Sequence, residues 1–264
     1  MPATFEHDTM RIVSLCPSLT ELVFDLGRGS DLVGITDYCV HPADGVGAIE
    51  KVGGAKTPAV ERIIALAPDI VLLNEEENRR EDAQALEAAR VRCLSTFPRD
   101  CSGTAEMVRT IGDALERPAE AARIATDIEA RTRRVVESSR GARDVSFAYL
   151  IWRKPWMSVN RDTFAHALLS QAGGRNVFGA LGVRYPEITL EDLARAAPDL
   201  VLLCTEPYPF QRKHMSELAE STGLPIDRFT IADGEYLSWH GSRTPAGIDY
   251  AAKLIAETRT RVSR

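Results

Sequence analysis

Long apolar runs are missing from this chain of 264 residues. A membrane-crossing helix needs roughly 20 consecutive apolar residues. The longest candidate, Ile63 to Leu73, is interrupted by Pro68-Asp69, so membrane insertion is not expected. The amino-terminal MPATFEHDTM has no basic start, apolar centre or small-residue cleavage site. The chain as written therefore reads as cytoplasmic, or as periplasmic if a signal was removed or the start mis-called. Cysteines are few and odd in number (Cys16, Cys39, Cys93, Cys101 and Cys204) and form no CxxC. That pattern suits a reducing compartment better than a disulfide framework. No GxSxG, HExxH or GxGxxG occurs, and Gly53-Gly54-Ala55-Lys56-Thr57 lacks the GxxxxGK[ST] spacing. The chain thus offers no recognised nucleophile or cofactor loop, and a non-enzymatic role is expected. Surplus positive charge is lacking too: the net charge is −6, which argues against a nucleic-acid partner. Arg131, Arg133 and Arg134 cluster at helical spacing among acids and apolar residues, the pattern of a solvated helix face. Aromatic residues make up only 6% of the chain, which makes their positions informative.

What is present is a repeat. Residues 61–76, ERIIALAPDIVLLNEE, return without a gap as EDLARAAPDLVLLCTE at 191–206. Glu61/Glu191, Ala67/Ala197, Pro68/Pro198, Asp69/Asp199, Val71/Val201, Leu72/Leu202, Leu73/Leu203 and Glu76/Glu206 are identical. In each copy an amphipathic helix ends before a proline, and a continuous apolar run then reads as a buried parallel strand. Two such lobes fit the length of the chain. Ligands in open parallel sheets sit beyond the carboxyl ends of the strands. The expected fold is α/β: two similar lobes with short parallel sheets, joined by one long helix, with a ligand crevice between the lobes.

The first lobe (11–103) is expected to open with a strand over 11–15, followed by a helix capped by Ser18 with Glu21 completing a capping box, and Gly27 ending it. A strand over 32–36 leads into Asp37-Tyr38-Cys39-Val40-His41-Pro42. Thr57 is read as a cap and Pro58 as the first residue of the next helix. Strands follow over 70–73 and 91–95, with a charged helix over 79–90. Linking helices occupy 104–141, with Pro118 opening the long one and Ile124, Ile128 and Val135 on one stripe. The second lobe (142–264) has strands over 145–151 and 228–232 beside its repeat copy. Helices are expected over 162–172, 212–221 and 245–259.

With the repeat and the phrases RIVSLCPSLTE, ERIIALAPDIVLL and LEDLARAAPDLVLL in view, the chain resembles the helical-backbone substrate-binding proteins of ABC importers. The cobalamin-binding members are the closest match, and the likeness runs from Arg11 to about Glu257. That resemblance implies a monomer that captures a metal chelate and delivers it to an importer permease. Cobalamin, ferric siderophores, haem and metal ions are the ligands of such proteins. It also implies that Glu61 and Glu191, one per lobe, pair with arginines of the membrane subunits. First-turn glutamates also favour a helix amino terminus by themselves. Tyr185 stands where the cobalamin-binding members place an aromatic contact. The chain departs from them at Lys56-Thr57-Pro58, where they carry a second aromatic.

The residues themselves point to the same chemistry. Trp152, Trp156 and Trp239 fall in expected loops of the second lobe, as do Tyr185, Tyr208, Phe210 and Tyr236. Rings so placed suit a large flat ligand, with Tyr38 facing them from the first lobe. Trp156 and Trp239 have polar neighbours and read as poor core formers. Cys39, His41 and His240 are candidate metal ligands, or an axial ligand to a metal macrocycle, and Cys16, like Cys39 and His41, follows a first-lobe strand. Arg153, Lys154 and Arg243 are suited to carboxylate or phosphate groups. No cofactor is required. The reading is a binding protein for a corrinoid or related metal chelate. Its rivals are direct metal-ion, siderophore or haem binding, a cytoplasmic enzyme built around His240, Ser242 and Asp37, and a scaffold for a protein partner.

Overall fold

The computed structural model describes residues 10–263. The amino-terminal reading above therefore falls, Met10 apart, outside the described residues. The chain divides into two compact units. One runs to Phe97 and takes in Glu106–Ala125; the other comprises Pro98–Ala105 and Thr126 onward.

The first unit contains β1 (Ile12–Ser14), α1 (Pro17–Asp25), β2 (Leu32–Ile35), β3 (Gly53–Gly54), β4 (Thr57–Pro58), α2 (Val60–Ala65), β5 (Ile70–Asn74), α3 (Arg80–Ala88) and β6 (Cys93–Thr96). Two helices follow, α4 (Cys101–Ala114) and α5 (Pro118–Ser139), and the boundary between units falls within each of them. The sheet runs β2-β1-β5-β6, all parallel. Every residue of β5 is buried, as the unbroken apolar run requires when helices cover both faces. Val13, Leu15, Val71 and Leu73 point to one face and pack with Ile63 of α2 and Leu86 of α3. On α5 the expected stripe of Ile124, Ile128 and Val135 is buried.

Two helix starts differ from expectation. Pro17 occupies the first turn of α1 and the extended Cys16 is its N-cap, so Ser18 lies inside the helix and no capping box forms. Proline fits that first turn because the missing N–H would have no partner there. Thr57 and Pro58 do not start α2; they pair antiparallel with Gly53 and Gly54, and the Ala59 N–H bonds to the Val52 carbonyl at 2.8 Å. Gly53 makes that ribbon possible with φ +96°, a conformation side chains disfavour.

The second unit contains β7 (Val145–Trp152), β8 (Trp156–Ser158), α6 (Phe164–Gln171), β9 (Gly174–Asn176), β10 (Glu187–Ile188), α7 (Leu190–Ala196), β11 (Leu200–Cys204), α8 (Arg212–Thr222), β12 (Phe229–Ala232), α9 (Gly234–Ser238) and α10 (Thr244–Val262). Its sheet runs β10-β8-β7-β11-β12, with β9 also on β7. Strands β7, β9, β11 and β12 are parallel, while β8 returns antiparallel to β7. The sheet is therefore mixed rather than wholly parallel. The chain turns back through Arg153-Lys154-Pro155, where Lys154 takes φ 65°. Among the described residues, no helix is long and apolar enough to cross a membrane.

The repeat is a shared joint. Ala67 and Ala197 both adopt left-handed backbone, at φ 45° and 42°, to end α2 and α7 before Pro-Asp. Asp69 Oδ2 accepts the Arg11 N–H at 2.7 Å, and Asp199 Oδ2 accepts the Ser146 N–H at 2.9 Å. Each aspartate thus ties the amino-terminal edge of a central strand pair. Arginines close the helix ends: Arg11 Nε donates to the Leu66 carbonyl at 3.0 Å, and Arg228 Nη1 to the Ala197 carbonyl at 3.0 Å.

Burial acts to raise the Asp199 carboxyl, but the Ser146 N–H and hydroxyl, with Arg143 and Arg228, outweigh it and hold it below its ordinary 3.8. A carboxyl depressed by folding stabilises above its unfolded value, and that contribution is lost as pH falls through the folded value. Asp199→Asn should cost about 1–2 kcal/mol at neutral pH. It should also flatten the decline in stability below about pH 4. Denaturation midpoints measured against pH check both; an unchanged acid limb in the variant would refute the assignment.

Candidate functional site

Parallel strands place their carboxyl ends on one edge, and the turns leaving that edge hold most of the candidate residues. In the second unit these are the end of β7, Thr205–Gln211 after β11, and the α9 segment after β12. Trp152 and Trp156 are not in loops; they end β7 and begin β8, flanking the tight turn. Trp152 is 39% exposed and meets Tyr208 edge to face, with ring centroids 5.7 Å apart. Tyr208 is 4.7 Å from Phe210, and Phe210 stacks on Trp156 at 6.0 Å with an interplanar angle of 6°. His214, buried in the first turn of α8, contacts both Tyr208 and Phe210. Arg153 lies over the Trp156 ring at 5.7 Å and is ion-paired with Glu217. The result is a continuous row of rings seated on the apolar core of this unit.

A second group forms around Trp239, the C-cap of α9. Trp239 is buried, contrary to its reading as a poor core former, because its Nε1 donates to Glu206 Oε2 at 2.9 Å. Polar neighbours in sequence supply the partner that lets an indole go inside. Trp156 likewise is half-buried, held by Phe210. Arg243 sits 4.9 Å from the Trp239 ring and 5.9 Å from Tyr236, and pairs with Glu235. Glu206 and Tyr208 belong to one turn, so the two aromatic groups are linked by three residues of chain. Tyr185 is half-buried, with the Arg184 guanidinium 5.8 Å from its ring. His240 is buried and meets Phe164 edge to face at 5.7 Å.

In the first unit, Tyr38 is 65% exposed in the turn after β2. Cys39 is buried, its Sγ within 3.0 Å of Thr20 Oγ1 and 3.1 Å of Thr36 Oγ1. His41 is half-buried and precedes Pro42 through a cis peptide bond. Among the described residues, no three or more His, Cys, Asp or Glu side chains gather in a way that would hold a metal ion. Burial, aided by Glu77, pushes the Cys16 thiol up to about 12, and burial raises Cys204 to about 11. Both thiols stay protonated at neutral pH, whereas metal ligation and nucleophilic attack use the thiolate. Glu61 and Glu191 are exposed in the first turns of α2 and α7.

Two asparagines escape a reading based on apolar pattern. Asn74 ends β5 and its Oδ1 accepts the Glu76 N–H at 3.0 Å, shaping the acidic turn Glu75-Glu76-Glu77. Asn78 Nδ2 donates to the carbonyls of Leu15 (2.9 Å) and Ala55 (3.0 Å), joining three segments at the carboxyl edge. In the second unit the position equivalent to Asn74 is Cys204, and Tyr149 Oη donates to its Sγ at 2.7 Å.

Two α/β units, with rings collected at the carboxyl edge of the second unit's sheet, match the architecture of solute-binding proteins. A family model described as periplasmic binding protein matches residues 12–223, and the chain belongs to that family. It is a helical-backbone substrate-binding protein of ABC importers. Among curated relatives, the vitamin B12-binding protein of Vibrio campbellii is 25% identical over 72% of this chain and 69% of its own length. That of Vibrio cholerae is 21% identical over 93% of this chain and 88% of its own. The solved periplasmic vitamin B12 binding protein of Vibrio cholerae superposes with a TM-score of 0.81 at 18% identity, covering 94% of this chain and 97% of that one. A periplasmic haem-binding protein of Roseiflexus gives 0.82 at 23%, covering 96% and 98%, in line with the same fold. One from Pseudomonas aeruginosa gives 0.79 at 26%, covering 94% and 93%.

Proposed function

We propose that this chain binds a corrinoid, without transforming it, and hands it to an ABC importer. The observation that carries the reading is the row Trp152–Tyr208–Phe210–Trp156, continued through the Glu206 turn to Trp239 and Arg243. A ring row at a carboxyl edge suits a broad flat ligand by area and stacking, each well-placed contact adding about 0.5–1.5 kcal/mol beyond burial. The B12-binding relatives favour the corrinoid. The haem-binding neighbours make haem the second reading.

Titrating the purified protein with cyanocobalamin, followed by visible spectroscopy and calorimetry, tests this. Saturable binding is expected, and Trp239→Ala should weaken it at least about tenfold, the loss of a central aromatic anchor. No heat and no retained ligand would remove the corrinoid; saturable binding of haem alone would put haem in its place.

Glu61 and Glu191, one on each unit, are the residues offered to the permease in this reading, since both are exposed at equivalent repeat positions. Glu61→Lys with Glu191→Lys should leave ligand affinity unchanged and abolish uptake in vesicles that hold the importer. Uptake at the unmodified rate would discard that role.

A further inference from the structure

Beside the amino-terminal half of β7, an open cavity of about 430 Å³ lies between α6 and β9 in the second unit. Arg161, His166, Ser170, Arg175, Asn176 and Asp144 contribute its polar lining. Hydrogen bonding fixes how these groups present themselves. Asn176 Oδ1 accepts the Phe178 N–H at 2.9 Å, so Nδ2 is the end that donates to the Val159 carbonyl at 2.9 Å and faces His166 Nδ1 at 3.4 Å. Nδ1 is thereby an acceptor, and the ring proton sits on Nε2, which donates to Ser170 Oγ at 3.1 Å. The same tautomer stops Nε2 from taking a proton from Ser170, so the pair is not an activated nucleophile. It leaves the serine hydroxyl hydrogen available to a further acceptor.

The arginines add to this surplus of donors. Neither the Arg161 nor the Arg175 guanidinium makes a hydrogen bond or ion pair among the described residues, although Asp144 shares the lining. Burial and the Arg161 charge both lower the His166 pKa, as expected where positive charge is incompletely balanced. Arginine forks match tetrahedral oxyanions in pairs of hydrogen bonds. The volume lies in the range of small-molecule sites, well above what one oxyanion fills. Asp144, an acceptor at the same rim, suits hydroxyl groups on the remainder of a ligand.

We propose that this cavity is a second binding site, for the phosphate ester of a sugar or other polyol. The phosphate is held by Arg161, Arg175 and the Ser170 hydroxyl, and the hydroxyls by Asp144. It is independent of the corrinoid reading, which concerns the opposite edge of the sheet.

The test is calorimetry on the full chain with inorganic phosphate and with glucose 6-phosphate, at constant ionic strength. Saturable binding of the sugar phosphate is expected, tighter than that of phosphate alone. Arg161→Gln with Arg175→Gln should reduce its affinity at least about tenfold, or 1.4 kcal/mol. Both arginines are exposed, so the denaturation midpoint should hold and separate lost binding from lost folding. No saturable binding of either compound, or equal affinity in the double variant, would overturn the site. Phosphate binding as tight as the ester would overturn the polyol assignment.

Discussion

Replacing Arg28 by alanine is expected to cost about 3–5 kcal/mol, because it leaves an uncompensated charge inside. Arg28 follows Gly27, whose φ of +75° ends α1 and turns the chain inward. Only 6% exposed, Arg28 donates from Nε to the Leu115 carbonyl at 2.9 Å, from Nη1 to Asp31 at 3.0 Å, and from Nη2 to Glu116 at 3.1 Å. One guanidinium thus joins the turn after α1 to the end of α4. Asp31 is itself buried, so removing its partner strands a carboxylate. Arg28→Met with Asp31→Leu should recover most of the loss, since apolar replacement of a buried pair is often neutral. Equilibrium denaturation of the three proteins measures both effects. A loss under about 1 kcal/mol in Arg28→Ala would mean the pair contributes no more than a surface bridge.

Gly247→Ala should destabilise although glycine-to-alanine in a helix ordinarily gains about 1 kcal/mol. A Cβ on Gly247 of α10 would lie 2.2 Å from the Tyr236 carbonyl oxygen of α9, closer than any contact permits. Backbone must move, since no side-chain rotation relieves the clash. Overpacking of this kind costs about 1–3 kcal/mol. The displaced α9 carries Tyr236 and leads into Trp239, and both rings contact Arg243. Cyanocobalamin affinity should therefore fall with stability, by about tenfold if the anchor shifts off its pocket. Denaturation and titration of the same preparation separate the outcomes: stability gained, or affinity untouched, would show that α9 is not seated by this contact.

The strands of both repeats were legible because β5 and β11 are buried on every side, and such strands are written in unbroken apolar letters. The Ala-Pro-Asp joints were legible as well, since left-handed exits and capping aspartates depend on local chemistry. Local chemistry also misled. Ser18 and Glu21 have capping-box spacing, yet Pro17 claims the first turn; Thr57-Pro58 looks like a helix start, yet the Ala59 N–H is spent on Val52. In both cases a neighbouring residue settled which of two short-range patterns prevailed. Of the rings read as loop residues, Tyr208 and Phe210 lie in the turn after β11, whereas Trp152 and Trp156 belong to the ends of β7 and β8, which the aromatic pattern alone does not separate from a loop. The burial of Trp239 was not legible, because it depends on Glu206, 33 residues distant in sequence. Asn78 was invisible for the same reason: its partners, Leu15 and Ala55, are brought to it only by folding.

The matching Ala-Pro-Asp joints carry an engineering corollary. Where the strands begin, the duplicate copies have kept one solution; where they finish, Asn74 and Cys204 have gone separate ways. Under the proposed function, the rim where the copies differ at Asn74 and Cys204 is the one that meets cargo, and the rim they share is the one that anchors the scaffold. Grafting the turns that follow β7, β11 and β12 from a haem-binding relative should consequently re-address the receptor to a new passenger while its architecture stays intact.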